Sequence, residues 1–376
     1  MNSQRPVITY ENVYLLKGKP GAHSLQNNSG AAISSVEYVQ GINFSVDNAR
    51  TNLGAVGAKG FIDKSIRTAP DVQLTVNVLE TFRDKSLFSG LVSGNHNLDQ
   101  NFYAIIGNKR SVDFKDISMD GSDAISFGNC FLNNVAISQS TNGILTSQYS
   151  YVGSNLEAQK ITASSLAGFG GNSFTGKAPS INLSGNQLQD IKFQFTDPSS
   201  YYTSDSDFLI TSHQTRIEIG SNGENGAFLI KPDTLQTFNL NLPVKRQAIY
   251  SLGKKYPVKR KPLFPNLGSI NFTALASDFE SKDSDKNLKD FLNFDHSFKL
   301  RISFDNKKLR NFSFQIRNAK LKAHSYNSAL ESQMASEFSL EFDVSDLKVA
   351  LDRLMQETEF HDGFAILLED GNNILT

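Results

Sequence analysis

The chain has 376 residues, 39% hydrophobic and 20% charged, which gives room for two or three packed domains and excludes a disordered chain. Its 37 Lys and Arg against 38 Asp and Glu leave a formal net charge of -1, excluding a globally basic nucleic-acid binder and a highly acidic tail protein. A single cysteine, Cys130, excludes an intrachain disulfide framework and a thiolate metal cage.

The start is polar, with Arg5 and Pro6 and no apolar core, and no stretch nears 18 consecutive apolar residues. We therefore expect a soluble protein of a reducing compartment, without a secretory signal or a transmembrane helix. Trp is absent and Phe numbers 28, so Phe and aliphatic residues must fill the cores. Recurrent Gly, Asn and Ser favour many short strands joined by turns.

In chain order, Ile42–Val46 and Val72–Val78 alternate strictly. Asn43, Ser45, Gln73, Thr75 and Asn77 are polar and the residues between them apolar, the pattern of strands with one buried face. Asp84–Leu87 with Leu91 reads as a short capped helix, and residues 127–137 and 145–152 as paired strands. Ala163–Gly176, rich in Ser, Gly and Asn, reads as a flexible linker. Ile191–Phe195 and Thr215–Ile219 are strand-like, and Gly268–Ala274 and residues 336–342 repeat the alternation. Asp285–Leu288 with Leu292 resembles the first short helix. Ser345–Phe360 has helical spacing, with Leu347, Leu351, Leu354 and Met355 behind a Ser345 cap, and Phe364–Leu368 reads as a final strand.

Sliding the chain on itself reveals a repeat. Residues 33–80 lie against 229–276 at an offset of 196 without a gap, pairing Gln40 with Gln236, Asn43 with Asn239, Arg50 with Arg246, Gly57 with Gly253 and Lys59 with Lys255. Residues 127–151 lie against 316–340 at an offset of 189, pairing Asn129 with Asn318, Leu132 with Leu321, Ser147 with Ser336 and Ser150 with Ser339. The two helix-like segments fall between these blocks in both halves. The expected fold is mainly β: two tandem β-sandwich or barrel domains, each with a short flanking helix, plus a C-terminal helix and strand. The boundaries are 1–160 for the first domain, 161–179 for the linker, 180–343 for the second domain and 344–376 for the extension. Residues 180–228 have no clear match in the first copy.

Motifs of catalysis are missing from the sequence. It has no G-x-S-x-G elbow, no H-E-x-x-H and no P-loop. The six histidines (His23, His96, His213, His296, His324 and His361) are dispersed and read as surface or turn residues, and Cys130 reads as a small buried hydrophobe. Asp205-Ser206-Asp207 and Asp283-Ser284-Asp285 lack calcium-loop spacing and read as solvated turns. Gly54–Gly57 and Gly168–Gly171 lack the strand–Gly–helix setting of a phosphate site. We expect no enzyme, no cofactor and no metal.

Charge placement says more than its total. Seven of the 17 residues from Lys245 to Lys261 are basic (Lys245, Arg246, Lys254, Lys255, Lys259, Arg260 and Lys261), with Tyr250 and Tyr256 interleaved. The matching stretch of the first half keeps Arg50, Gly57, Lys59 and Lys64 but is far less cationic. Residues 344–376 hold seven acids against Lys348 and Arg353, so complementary contacts between subunits are preferred over direct nucleic-acid contact. Sixteen polar strand positions carry neither Lys nor Arg: Asn43, Ser45, Asp47, Gln73, Thr75, Asn77, Gln148, Ser150, Asn239, Asn241, Ser269, Asn271, Thr273, Glu337, Ser339 and Glu341. They would suit a neutral-to-acidic wall past which a polyanion slides, or an ordinary solvent face.

Ile42–Val46, the polar excursion to Pro70, Val72–Glu80 with the helical segment after it, Asn101–Ile106, Ser126–Asn129 and the paired strands that follow together resemble the tail tube proteins of tailed bacteriophages. The resemblance covers most of the first copy and the later part of the second. It implies two packed antiparallel sheets with a flanking helix, six-domain rings whose inner strands line a channel, and a long loop that reaches the adjacent ring. On that pattern, the excursions 49–70 and 245–265, with the basic residues and Gly57 named above, take the ring-stacking role. Of the polar strand positions, Asn43, Ser45, Asp47, Gln73, Thr75, Asn77, Asn239, Asn241, Ser269, Asn271, Thr273, Glu337 and Glu341 are the candidates for the lumen.

Usual members carry one domain per chain, so two copies imply a homotrimer with a pseudo-hexameric ring. Its partners would be itself, other tail proteins (sheath, baseplate or terminator) and viral DNA passing without sequence-specific binding, with no membrane. The location implied is the virion tail, assembled in the host cytoplasm, with a role in DNA ejection. The alternatives are a baseplate or tail hub ring component and a non-viral β-sandwich module binding carbohydrate or a cell surface.

Overall fold

The structure is a computed structural model. It describes residues 13–18, 34–36, 38–47, 50–54, 61–66, 70–80, 87, 100–106, 123–160, 165–166, 181–182, 209–221, 227–230, 235–252, 256–257, 259–263, 265–275, 297–304, 312–327, 335–344, 348–351 and 363–368. These residues are almost entirely strand.

The first half contributes β1 (Val13–Gly18), β2 (Ser34–Ser35), β3 (Val39–Asp47), β4 (Arg50–Gly54), β5 (Phe61–Ile66), β6 (Asp71–Leu79), β7 (Gln100–Ile106), β8 (Asp123–Ser140), β9 (Thr146–Gly153) and β10 (Asn155–Lys160). A two-residue pair follows, β11 (Ser165–Leu166) with β12 (Ile181–Asn182). The second half contributes β13 (Thr215–Ser221), β14 (Ala227–Ile230), β15 (Leu235–Pro243), β16 (Arg246–Ile249), β17 (Lys259–Pro262), β18 (Leu267–Leu275), β19 (Ser297–Phe304), β20 (Phe312–Asn327), β21 (Ala335–Asp343), β22 (Lys348–Leu351) and β23 (Gly363–Leu368).

Both strand sets pair in the same order. In the first, β3 pairs with β6, β6 with β9 and β9 with the second half of β8, while the first half of β8 lies between β7 and β10 and β7 continues to β1. In the second, β15 pairs with β18, β18 with β21 and β21 with the second half of β20, while the first half of β20 lies between β19 and β23 and β19 continues to β13.

The registers also coincide. Gly41 opposite Asn77 becomes Thr237 opposite Thr273, and Val135 opposite Tyr149 becomes His324 opposite Phe338. Even the irregularities recur: bulges lie between Val39 and Gly41 and between Leu235 and Thr237, and again between Leu132 and Asn134 and between Leu321 and Ala323. Asn129 and Asn318 both hold positive φ, 54° and 57°, where the long strand passes from one sheet to the other. Asn tolerates this left-handed backbone better than other side-chain-bearing residues, which accounts for its presence at both crossings.

Alternation builds the core. Val72, Leu74, Val76 and Val78 of β6 are buried, as are Phe298, Leu300, Ile302 and Phe304 of β19 and Phe338, Leu340 and Phe342 of β21. Phe272 stacks on Phe338 with ring centroids 5.0 Å apart, and Phe304 meets Phe314 edge-on at 5.3 Å. Phe does the work of the missing Trp.

Three expectations change. Lys348–Leu351, placed by spacing in a helix, forms a strand parallel to β23, with Val349 beside Ile366. An apolar residue at every second place can serve a strand edge as well as a helix face, and pairing with β23 satisfies its backbone. The rest of Ser345–Phe360 lies outside the described residues. Thr215–Ile219, unmatched in sequence, occupies the place of β1. The Phe364–Leu368 run lies along β20 as β10 lies along β8, so it joins the second strand set. Of the two short helices only Leu87, helical and buried, is described; Ile191–Phe195 and most of the linker also lie outside the described residues.

Candidate functional surface

The two strand sets share one ladder. Thr237–Pro243 of β15 runs antiparallel to Asn134–Ser140 of β8. One continuous sheet results, in the order β3, β6, β9, β8, β15, β18, β21, β20, using the second halves of the two long strands. The joint is reinforced beyond the ladder. Gln139, buried, donates to the Ile210 carbonyl at 3.2 Å and accepts from the Thr215 hydroxyl at 2.6 Å; the Val244 amide donates to the Asn133 carbonyl at 2.8 Å.

Because side chains alternate across a sheet, one residue per pair assigns each row to a face. All sixteen polar positions singled out in sequence fall on the same face. Asn43, Thr75 and Ser150 are adjacent, as are Ser45 with Gln73 and Asp47 with Asp71. Asn239, Asn271 and Ser339 form another row, and Thr237, Thr273 and Glu337 the next. One row crosses the whole sheet: Gly41, Asn77, Gln148, Ala136, Asn241, Ser269, Glu341 and Lys320. Neighbours on this face bond to one another, Gln148 to the Asn77 carbonyl oxygen at 3.0 Å and the Thr237 hydroxyl to that of Thr273 at 3.1 Å. The opposite face carries the buried core.

Lys320 and Lys322 escaped the sequence reading. The bulge in β20 shifts its alternation, and Lys322 forms an ion pair with Glu341 on the polar face. The match of 127–151 to 316–340 already carried the signal, since it sets Lys320 beside Glu341. Glu337 and Glu341 remain half-exposed to exposed, and the Ser325 hydroxyl donates to Glu337 at 3.4 Å.

The two excursions form hairpins, β4 with β5 and β16 with β17, in the same register: Arg50 opposite Ile66, and Arg246 opposite Pro262. Gly57, Lys59, Lys254 and Lys255 lie outside the described residues, and Arg50, Lys64, Lys245, Lys259 and Lys261 are placed on or beside the hairpin strands. Arg260 points inward. It is buried and donates to the Gly153 carbonyl at 3.2 Å and the Ser154 hydroxyl at 3.0 Å, with Asp71 at 3.4 Å, so it is committed within the chain. Arg246 donates from Nε to the Leu132 carbonyl at 3.0 Å and lies over the Phe131 ring, 5.4 Å from its centroid. Burial, with Arg260 nearby, lowers its pKa. The two arginines pin the second hairpin onto the first strand set.

A buried acid lies below the polar face. Glu80 is 3% exposed and accepts a 2.5 Å hydrogen bond from the Tyr149 hydroxyl. Burial pushes its pKa up to about 7 against the pull of that bond, and burial together with Glu80 raises that of Tyr149. In the second set these positions are Ala276 and Phe338. Cys130 is buried, with its thiol packed where a Cβ on Gly153 would stand. His213 is exposed beside the Thr211 hydroxyl, and His324 lies against Phe338 at 4.6 Å; the other four histidines are outside the described residues. Among the described residues, no group of three or more His, Cys, Asp or Glu could hold a metal, and no helix is long and apolar enough to cross a membrane. No protein-family model matches the chain, and no curated protein sequence does so.

Proposed function

We propose that the chain is a structural subunit of a phage-type tail tube. Three copies close a ring of six tandem-duplicated domains, and stacked rings form the conduit for DNA. The reading is carried by the eight-stranded sheet in which one four-strand unit is followed by its repeat, with a polar, largely neutral face continuous across both. Such a face gives a polyanion few cations to stick to. The acids Asp47, Glu337 and Glu341 bias it negative, and the Glu341 pairing offsets the cation of Lys322. A repeat that continues its own sheet fits a ring, because closure removes the edges that invite aggregation.

The remaining loop cations, Lys254, Lys255 and Lys259, serve ring-to-ring contact in this reading, and Arg260 is withdrawn from that role. Electron microscopy of the purified protein tests the proposal. Hollow tubes, or rings with three chains and six similar lobes, are the expected result. A stable monomer would overturn it, and reversal of charge at Lys254, Lys255 and Lys259 should leave rings that no longer stack.

A further inference from the structure

We infer that the outer edge of β3 docks the second half of β20 from another copy of this chain, joined head to tail. The inference deepens the ring reading and rests on it for closure of the series. The chain already makes this joint once within itself, where β15 lies along the second half of β8. The matched registers make β3 the counterpart of β15, and the second half of β20 the counterpart of that of β8. Among the described residues, β3 pairs with β6 alone and Ala323–Asn327 with β21 alone, whereas their counterparts are paired on both sides.

Burial tells the same story. Leu240 and Leu242, beside β8, are fully buried, while Phe44 and Val46 at the equivalent places are 47% and 38% exposed. An apolar alternation that predicts burial is thus left uncovered in the single chain, and what covers its equivalent is a β8-type strand. The two free edges differ and lie at opposite ends of the sheet, so each added copy presents the same pair again; this is a heterologous contact, which propagates until it closes. Carrying the β8–β15 register across sets Asn43 opposite Asn327 of the neighbouring copy, Ser45 opposite its Ser325 and Val46 opposite its His324. The polar face then runs on unbroken from one copy to the next.

The test is cross-linking of the full chain with a short bismaleimide, Cys130 being buried. Asn43→Cys and Asn327→Cys chains, differently tagged and mixed, should give one covalent dimer that carries both tags. The double variant should give a ladder that ends at a closed species. Asn43→Cys alone cross-linking to itself would mean that like edges meet, and no mixed dimer in an oligomeric sample would mean that other surfaces join the copies; either result overturns the inference. Val46→Glu, at an exposed position, should keep the β-rich circular dichroism spectrum and lose most of the oligomer; an unchanged oligomer would also overturn it. Cross-linked rings that never stack would leave this inference standing and end the tube reading, while tubes lacking the Asn43–Asn327 link would do the reverse.

Discussion

Replacing Glu80 by Gln isolates the cost of one buried carboxylate. In the folded chain its pKa stands near 7 against an ordinary 4.5, because burial outweighs the hydrogen bond from Tyr149. A raised carboxyl pKa means that the folded state holds a proton that the unfolded state has released. The sign follows: stability is greatest below pH 4.5, declines as pH rises from 4.5 through 7, and is flat above. At about 1.4 kcal/mol per pH unit, the interval between 4.5 and about 7 corresponds to about 3 kcal/mol. Glu80→Gln keeps an acceptor for Tyr149 and has no charge to bury, so it should remove that part of the decline. Urea unfolding followed by circular dichroism at pH 5 and pH 8, on both proteins, measures the difference. Amide exchange in β6 and β9 gives the same quantity locally. Comparing the two proteins cancels the other titrating groups. If both lose the same stability between pH 5 and pH 8, the carboxylate is not held as this structure holds it.

Two further perturbations probe the joint and the repeat. Arg260→Ala should cost about 1–3 kcal/mol in urea unfolding, because the Gly153 carbonyl and Ser154 hydroxyl lose a buried donor; the Asp71 contact adds little, since that side chain is 55% exposed. Asn129→Ala and Asn318→Ala should each cost about 1–2 kcal/mol for holding a non-glycine side chain at positive φ, and the Gly variant at Asn318 should be close to neutral. At Asn129 Gly should still cost stability, because its side chain accepts a 3.0 Å bond from Asn155.

The period-two alternation of Val72–Val78, Gly268–Ala274 and residues 336–342 was enough to place β6, β18 and β21 and to name their buried residues, because a half-buried strand writes its two faces into alternate positions. The same offsets, 196 and 189, anticipated registers and bulges that recur in both halves. The polar face was legible for the same reason, as every residue on it obeys the alternation. Lys320 and Lys322 were not, because a bulge moves residues between faces without a mark in composition.

Residues 348–351 misled because spacing over so few residues does not separate helix from strand, and only the partner strand β23 decides between them. Arg260 looked like any other cation in a basic run; its burial depends on Gly153 and Ser154, more than 100 residues away. The sequence by itself determined the strands, their faces and their repetition, all of which are local patterns. Only the tertiary structure decided that β8 meets β15, which leaves Leu240 covered and Phe44 bare, since an edge's neighbour is set by long-range pairing and not by the residues of the edge itself.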